Sequence, residues 1–421
     1  MQTATRSSRY DVLVAGGGTA GIVAAVQAAR AGARTLLVEK TGMLGGTITN
    51  AAVCYPASFH AEGRQVIGGI GWELVLATLR ECGDAAPNAA GQAPGSALHV
   101  TINPCVFAVL ADEWVVGAGA DLLLHAMPAT LRAGAESWEV GLATKTGLRA
   151  ITARVLVDCT GDANLVTMAG LPVTRSAELQ ACTPVVRVDG YDPATLDYAA
   201  IQKAYAAEIA AGRMKTSDSG WFRGDISVFL KRKGGNCLHA TGVDGSTSEG
   251  RTAAELEGRR VMMRVFRFLR TQPGLEKLRI TFLAAEVGVR ETVCIRARTR
   301  VTVDDYLAGR VYDDTICYAY YPIDIHATDH IVGQPLPPGV VPTLPYGALL
   351  PESGRNIIVA GRCAAGDQKA NSAFRVEAPC MAMGQAAGAA AALAARLSVP
   401  VADVPLNDLR ALLREHGAIV P

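Results

Sequence analysis

The chain has almost no net charge and few aromatic side chains. Its 421 residues carry 40 Lys plus Arg against 39 Asp plus Glu, a formal charge of +1, and Phe, Trp and Tyr together make up 5%. A near-neutral balance excludes the broad electrostatic footprint that holds a nucleic-acid backbone or an anionic membrane, and scarce aromatics argue against a base-stacking groove. A small neutral or anionic substrate fits better. The ten cysteines fall singly, without a C-x-x-C pair or a metal-type cluster with His, so they read as reduced thiols and no metal is expected. There is no fixed-period repeat and no low-complexity linker beyond the small-residue tract Asp84 to Ser96, read as a surface loop. The N-terminal MQTATRSSRY lacks an apolar signal core, which makes a cytoplasmic location the expectation. Ala378 to Ala395 runs eighteen residues without a charge. Ala and Gly dominate it, so it reads as a buried helix and no membrane span is expected.

What is abundant is glycine, 44 residues, in a chain that is 50% hydrophobic and 19% charged. That composition is of a folded protein, and the length exceeds one core and predicts two domains. Asp11 to Ala15 is a short apolar strand, Gly16 to Gly21 breaks it, and Ile22 to Ala31 continues in small helix formers until Gly32. Thr35 to Glu39 then supplies a second strand, completing a right-handed βαβ unit. Further strands are expected at Asp121 to His125, Glu139 to Thr144 and Ala153 to Asp158. From Pro184 to Pro342 the glycine-strand rhythm stops and helices become charged; it returns at Asn356 to Gly361. A doubly wound α/β domain interrupted by an insertion explains this order. The expected segments are 10–183 and 343–398 for the nucleotide domain, 184–342 for an inserted α+β substrate domain, and 399–421 for a helical tail.

Gly16-x-Gly18-x-x-Gly21 follows a strand and opens a helix, the context in which this spacing binds a dinucleotide. Gly16 makes the tight turn, Gly18 lets a pyrophosphate reach the backbone, and Gly21 lets helix and strand pack closely. Thr19 and Ala20 open the helix whose positive end faces the phosphates. Glu39, eighteen residues after Gly21, is placed to accept hydrogen bonds from a ribose diol and would repel a 2′-phosphate. The loop Lys40 to Thr47, with Gly45 and Gly46, passes a second set of amides beneath an extended dinucleotide. Two distal motifs, Gly161-Asp162 and Gly361-Arg362 with Gly366-Asp367, follow strands that a doubly wound sheet brings to the same edge, where carboxylates suit ribitol hydroxyls. Gly384 and Gly388 share a helix face and admit either another backbone or the cofactor. The helix start, near Val376 to Pro379, would favour an anionic form of a bound cofactor if it points at it.

These motifs resemble those of the FAD-dependent oxidoreductase family with a glutathione-reductase-type nucleotide domain, distantly similar to fumarate reductase and succinate dehydrogenase flavoproteins. The likeness rests on YDVLVAGGGTAG ending at Gly21, VEKTGMLGG ending at Gly46, VDCTGDA ending at Ala163, AELEGRR ending at Arg260, VGVRET ending at Thr292, YPIDIH ending at His326, and IIVAGRC through PCMAMGQAAG ending at Gly388. The resemblance implies non-covalent FAD on a Rossmann-like domain, an inserted substrate domain and flavin-mediated hydride transfer. Where the family often carries a Ser/Thr-His pair after AGRC, this chain has Ala365-Gly-Asp-Gln368, and Arg375 follows Phe374 in place of a small residue.

Three residues are candidates for the chemistry. Arg290 lies in an apolar flank beside Glu291, either as a structural ion pair or as a ligand for a substrate carboxylate or carbonyl. Asp324 and His326, two apart in an extended segment, point the same way and suit a base with its orienter. His60, His239 and His330 have no distinguishing pattern, and Cys54 is a thiol near the expected flavin path. With no second glycine fingerprint and no paired cysteines, a disulfide reductase is excluded. The expectation is hydride transfer between a small organic substrate and flavin N5, in the dehydrogenase or oxidase direction, with oxygen, a quinone or a protein carrier as electron acceptor. The open alternatives are a reductase of an activated double bond, a redox-neutral isomerase or lyase, and a non-enzymatic FAD-binding protein.

Overall fold

Five parallel strands end at one edge of a seven-stranded sheet, and this edge positions everything that follows. A computed structural model describes residues 8–87, 100–222, 224–327 and 331–421; His330 and most of the Asp84 to Ser96 tract lie outside the described residues. Strand β1 (Arg9–Ala15) is flanked by β2 (Thr35–Glu39), and β2 by β3 (Asp121–Leu124). On the other side of β1 comes β6 (Gly147–Asp158), preceded in sequence by β4 (Met127–Ala133) and β5 (Trp138–Thr144). The first half of β6 pairs antiparallel with β5, while Leu156 to Asp158 pair parallel with β12 (Ile357–Val359), so one long strand joins the hairpin to the parallel sheet. Expected separate strands at 139–144 and 153–158 are thus parts of longer elements, and β4 adds one the sequence reading did not separate. Strands β1, β2 and β12 are buried on both faces, which is why they read as unbroken apolar runs.

Helix α1 (Thr19–Arg30) crosses from β1 to β2 and is buried from Ala20 through Ala28, because a second helix covers its outer side. Helices α2 (Ile70–Glu81) and α3 (Pro104–Gly117, capped by Asn103) pack beside it. The insertion has its own core. Strand β7 (Val186–Asp189) lies between β8 (Gly234–Gly235) and β9 (Arg279–Leu283), all antiparallel. Helices α4 (Tyr198–Ala210) and α5 (Ser248–Leu269) contribute Tyr205, Val261, Val265 and Leu269 to that core. The charged character of α5 is its outer side; Ala254, Gly258, Val261, Met262, Val265 and Leu269 face inward at helical spacing.

The second core ends earlier than the composition shift suggests. Ile295, Val301, Tyr306, Ile316, Tyr320 and Ile323 pack into the large core, so the segment up to Pro342 is shared between the two cores and does not belong wholly to the insertion. The shift to Asp, Tyr and Pro in this stretch marks irregular chain, including the hairpin β10 (Ile323–His326) and β11 (Ile331–Gln334), wrapped on the nucleotide domain. After β12 come α6 (Gln368–Phe374), α7 (Glu377–Leu397) and α8 (Leu406–Glu415). Helix α7 is the one helix, among the described residues, long and apolar enough to cross a membrane, and 94% of its apolar window is buried inside the protein.

Candidate functional site

Parallel register places Ala15 beside both Val38 and Asp158, and Asp158 beside Val359. The loops that follow, Gly16 to Gly18, Lys40 to Thr47, Cys159 to Asp162 and Ala360 to Arg362, therefore open on one edge. Gly16 adopts φ +98°, and a Cβ there would strike the Cys159 carbonyl; a Cβ at Gly21 would overlap the Gly16 carbonyl at 1.8 Å. Gly18 differs. Its backbone is ordinary extended chain, and a Cβ would meet no protein atom within 4 Å. Space is thus left where the turn meets α1, whose first turn has no side-chain cap and no acid, so its amides remain available to an anion. The second glycine loop is laid against the first: the Gly45 amide donates to the Gly17 carbonyl at 2.8 Å, and a Cβ on Gly46 would come within 2.9 Å of Gly18 Cα. Glu39 is buried, with Oε2 accepting from the Gly17 amide at 2.7 Å and Oε1 from the amide and hydroxyl of Thr41 at 2.8 and 2.9 Å. With two lone-pair sites per oxygen, Oε1 is filled by Thr41 and Oε2 keeps one site beyond the Gly17 bond. An open phosphate berth, free helix amides and a fixed carboxylate fit an adenine dinucleotide.

The distal motifs brace the edge. Arg362 donates to the carbonyls of Gly161 (3.0 Å) and Val289 and pairs with Asp162 at 2.5 Å, clamping three segments together. Asp162 also accepts from Thr292 at 2.8 Å. Asp367 is the N-cap of α6, accepting from the Ala370 amide at 2.8 Å, and its other oxygen accepts from the Val303 amide at 2.6 Å. Asp367 thus caps α6, and each of its oxygens accepts one bond. A Cβ on Gly366 would strike Phe374. Lys40 is paired with Glu286 of the insertion at 3.5 Å, and Thr47 is exposed. Asp158, a residue the sequence reading passed over, is fully buried and holds the amides of Thr160, Leu165 and Val166.

Gly384 and Gly388 admit another backbone, not the cofactor: a Cβ on either would lie 2.2 and 2.3 Å from the carbonyls of Ala20 and Ala24 in α1. The first turn of α7 holds Glu377, whose carboxyl is pushed up to about 7 by burial against the opposing influence of its own backbone bond and Arg375. That acid already occupies the positive end of the helix.

The buried polar cluster brings together residues from five segments. His326 Nε2 lies 3.1 Å from Asp324, and His326 Nδ1 lies 3.1 Å from Nε2 of His239, eighty-seven residues away in sequence. Because Asp324 is an acceptor, His326 carries its proton on Nε2, accepts with Nδ1 from the Nε2–H of His239, and leaves Nδ1 of His239 with a lone pair. Both ring nitrogens of His326 are therefore engaged. The expectation that His326 itself meets the substrate is corrected: it is the middle of a relay, with His239 at the open end. Among the described residues Nδ1 of His239 has no hydrogen-bond partner, and it is not one of the sealed unpartnered atoms, so it borders open space.

Charge shapes this cluster. Burial, then the charge of Arg290, pushes His326 down to about 4 against the bond from Asp324; burial, Arg290 and His326 lower His239 still further. Asp324 is held below its usual range because the bond from His326 and the charges of Arg375 and Arg290 outweigh burial. Arg375 approaches Asp324 at 3.6 Å and donates to Gln180 Oε1 at 3.3 Å. Arg290 is buried and donates to the Ala181 carbonyl at 2.7 Å; burial, then the like charge of Arg375, pushes it down to about 10, so it stays charged. Of the two alternatives for Arg290, the ion pair with Glu291 does not form. Glu291 instead takes Ser176, the Gln180 amide and Gln368.

Sequence reasoning missed His239 as a partner and Gln180 altogether, because neither has a local pattern; only the chain path joins them to His326. His60 stacks edge-on against Trp72 at 5.1 Å. The Cys54 thiol is raised by burial despite Arg187, the reverse of an activated thiolate. An open groove of about 970 Å³ between α4 and α5 shares no lining residue with the cluster or the glycine edge.

The comparisons with known proteins agree with the cofactor edge. A family model described as FAD dependent oxidoreductase matches residues 11–413. The dihydrolipoyl dehydrogenase of Trypanosoma brucei brucei is 40% identical over 85 residues, 17% of this chain and 18% of that protein. The leghemoglobin reductase of Glycine max is 48% identical over 54 residues, 13% of this chain and 10% of that protein. The chain thus spans less than a fifth of the length of these curated relatives. Among solved structures, a geranylgeranyl bacteriochlorophyll reductase-like protein from Thermoplasma acidophilum aligns with TM-score 0.47 at 14% identity, covering 97% of this chain and 83% of that one. A p-nitrophenol 4-monooxygenase from Pseudomonas putida aligns with TM-score 0.45 at 12% identity, covering 97% and 87%.

Proposed function

Because the chain belongs to the FAD dependent oxidoreductase family, we propose that it moves a hydride between a small organic substrate and N5 of FAD, in the dehydrogenase or oxidase direction. The protein is an FAD-dependent enzyme. The observation that carries the finer reading is the buried relay Asp324, His326, His239, which ends on a ring nitrogen with a free lone pair.

FAD, when bound, supplies the two-electron acceptor. Gly16, Gly18, Thr19, Ala20 and Gly21 are the residues to hold its pyrophosphate, and Glu39 its adenosine ribose. Lys40, Gly45, Gly46 and Thr47 continue the path, and Gly161, Asp162, Gly361, Arg362, Gly366 and Asp367 shape the far side of the cradle, several of them by bracing it. On the substrate, Nδ1 of His239 removes the proton of a hydroxyl or amine. The imidazolium so formed keeps its Nε2–H on His326, and His326 keeps its own Nε2–H on Asp324, so the positive charge is compensated through two hydrogen bonds. Asp324 and His326 act as positioning residues for that base. Arg290 and Arg375 orient the substrate, and burial of the cluster excludes water. Electrons leave to oxygen, a quinone or a protein carrier.

Anaerobic addition of hydroxy acids, amines and sugars to the yellow holoprotein tests the reading. Loss of absorbance near about 450 nm, typical of oxidised flavin, is expected for the correct class. Substrate conversion without bleaching or consumption of an acceptor would reassign the protein as a redox-neutral flavoenzyme.

A further inference from the structure

We propose that the substrate is an anion whose carboxylate binds between Arg290, Arg375 and Gln180. The inference rests on the reading of this cluster as the substrate site.

Its first support is a set of missing acceptors. Nε of Arg375 and Nε2 of Gln180 are sealed from solvent without a hydrogen-bond partner. Gln180 cannot be relieved by flipping its amide, because Oε1 already accepts from the His326 amide at 3.2 Å and from Arg375 at 3.3 Å, and a flip would set donor against donor. A buried donor without a partner costs about 1–3 kcal/mol, and native interiors rarely tolerate one. Two such donors, on side chains already bonded to each other, mark a place where an acceptor belongs.

The second support is charge. Arg290 is 8% exposed, and among the described residues no carboxylate lies within ion-pair distance of it. Asp324 is the carboxylate beside both guanidiniums: its Oδ2 takes His326 and lies 3.6 Å from Arg375, its Oδ1 has no hydrogen-bond partner among the described residues, and its single charge is shared between the two arginines. Glu291, the neighbour in sequence, spends both oxygens on uncharged donors away from Arg290. A buried guanidinium lacking its own counter-charge is costly, and a planar carboxylate matches its fork. Oxidised flavin has no charge on its ring to serve instead.

The same arrangement links binding to chemistry. Apart from burial, Arg290 is the largest influence depressing both histidines. An anion against Arg290 cancels that influence and raises the basicity of His239, so the base is armed only when substrate is in place.

The test uses the holoprotein with acetate and propionate as probes and acetamide and propionamide as neutral counterparts of the same shape. The acids are expected to shift the visible flavin band and raise the thermal midpoint, and the amides to do neither. Arg375→Gln should weaken acid binding about 10- to 100-fold, the loss of one charge-assisted hydrogen bond. The proposal is overturned if the amides bind as well as the acids, if no acid perturbs the protein, or if Arg375→Gln loses FAD while acid affinity is unchanged, since the orphan donors then serve the flavin. Should that variant not fold, the wild-type acid-to-amide comparison decides alone. Bleaching by a neutral alcohol with no acid binding would sink the carboxylate and leave hydride transfer standing. Acid binding with no bleaching by any hydroxy acid or amine would do the reverse.

Discussion

Replacing Gly18 by valine separates the cofactor site from the fold. Gly18 has φ −71° and ψ −176°, a conformation any residue adopts, and its missing Cβ faces space that no protein atom occupies within 4 Å. The variant should therefore fold with its apoprotein stability within about 0.5 kcal/mol of wild type, as for substitutions that touch nothing. The same space is where the pyrophosphate must approach the start of α1. Displacing it from two charge-assisted amide bonds, at about 1.5–3 kcal/mol each, removes about 3–6 kcal/mol, a loss of about 10²–10⁴ in FAD affinity. The assay is flavin retained after gel filtration, set beside thermal unfolding of the apoprotein. A variant that keeps full FAD occupancy with wild-type affinity would refute the placement of the phosphates.

Three further outcomes follow from particular contacts. Gly384→Ala drives a methyl against the Ala20 carbonyl, 2.2 Å from the new Cβ, so unfolding midpoints should fall by the equivalent of about 1–3 kcal/mol. His239→Ala should keep the yellow colour but slow flavin reduction about 10²–10⁴-fold; combining it with His326→Ala should cost little more, because the two act as one relay, and fully additive losses would contradict the relay. Two buried groups impose opposite pH trends. Neutral His326, down at about 4 in the folded chain, adds stability that is present above about pH 6.5 and lost as pH falls toward 4. Glu377, up at about 7, adds stability that is full below its unfolded value and lost as pH rises through 7. Glu377→Gln should therefore stabilise the protein at pH 8 and do little at pH 5, read by denaturant unfolding across that range.

The βαβ unit at the glycine edge was legible because its parts are contiguous. Strand, glycines, helix and Glu39 lie within one βαβ unit, and local spacing is enough to read them. Where the reading depended on partners distant in sequence, it failed in specific ways. Arg290 sits next to Glu291 in the chain, yet Arg290 donates to the Ala181 carbonyl while Glu291 finds Gln368. His326 and Asp324 pair as their spacing suggests, while His239 reaches them only because the insertion folds back over β10. Asp367 stands three residues before Ala370, the spacing of a helix N-cap, and it fills that role. Ile295, Val301, Tyr306, Ile316, Tyr320 and Ile323 stay in the larger core although the composition around them shifts, since Tyr and Pro can line irregular chain as well as an insertion.

The most direct measurement of the central claim is single-turnover reduction of the bound flavin, under anaerobic and saturating conditions, by a substrate of the class found in the screen, with and without deuterium on the carbon being oxidised. Hydride transfer to N5 predicts that bleaching slows with the deuterated substrate and that the slowing persists when His239 is replaced. Equal rates for the two isotopic forms, or conversion of substrate while the flavin stays oxidised, would contradict it.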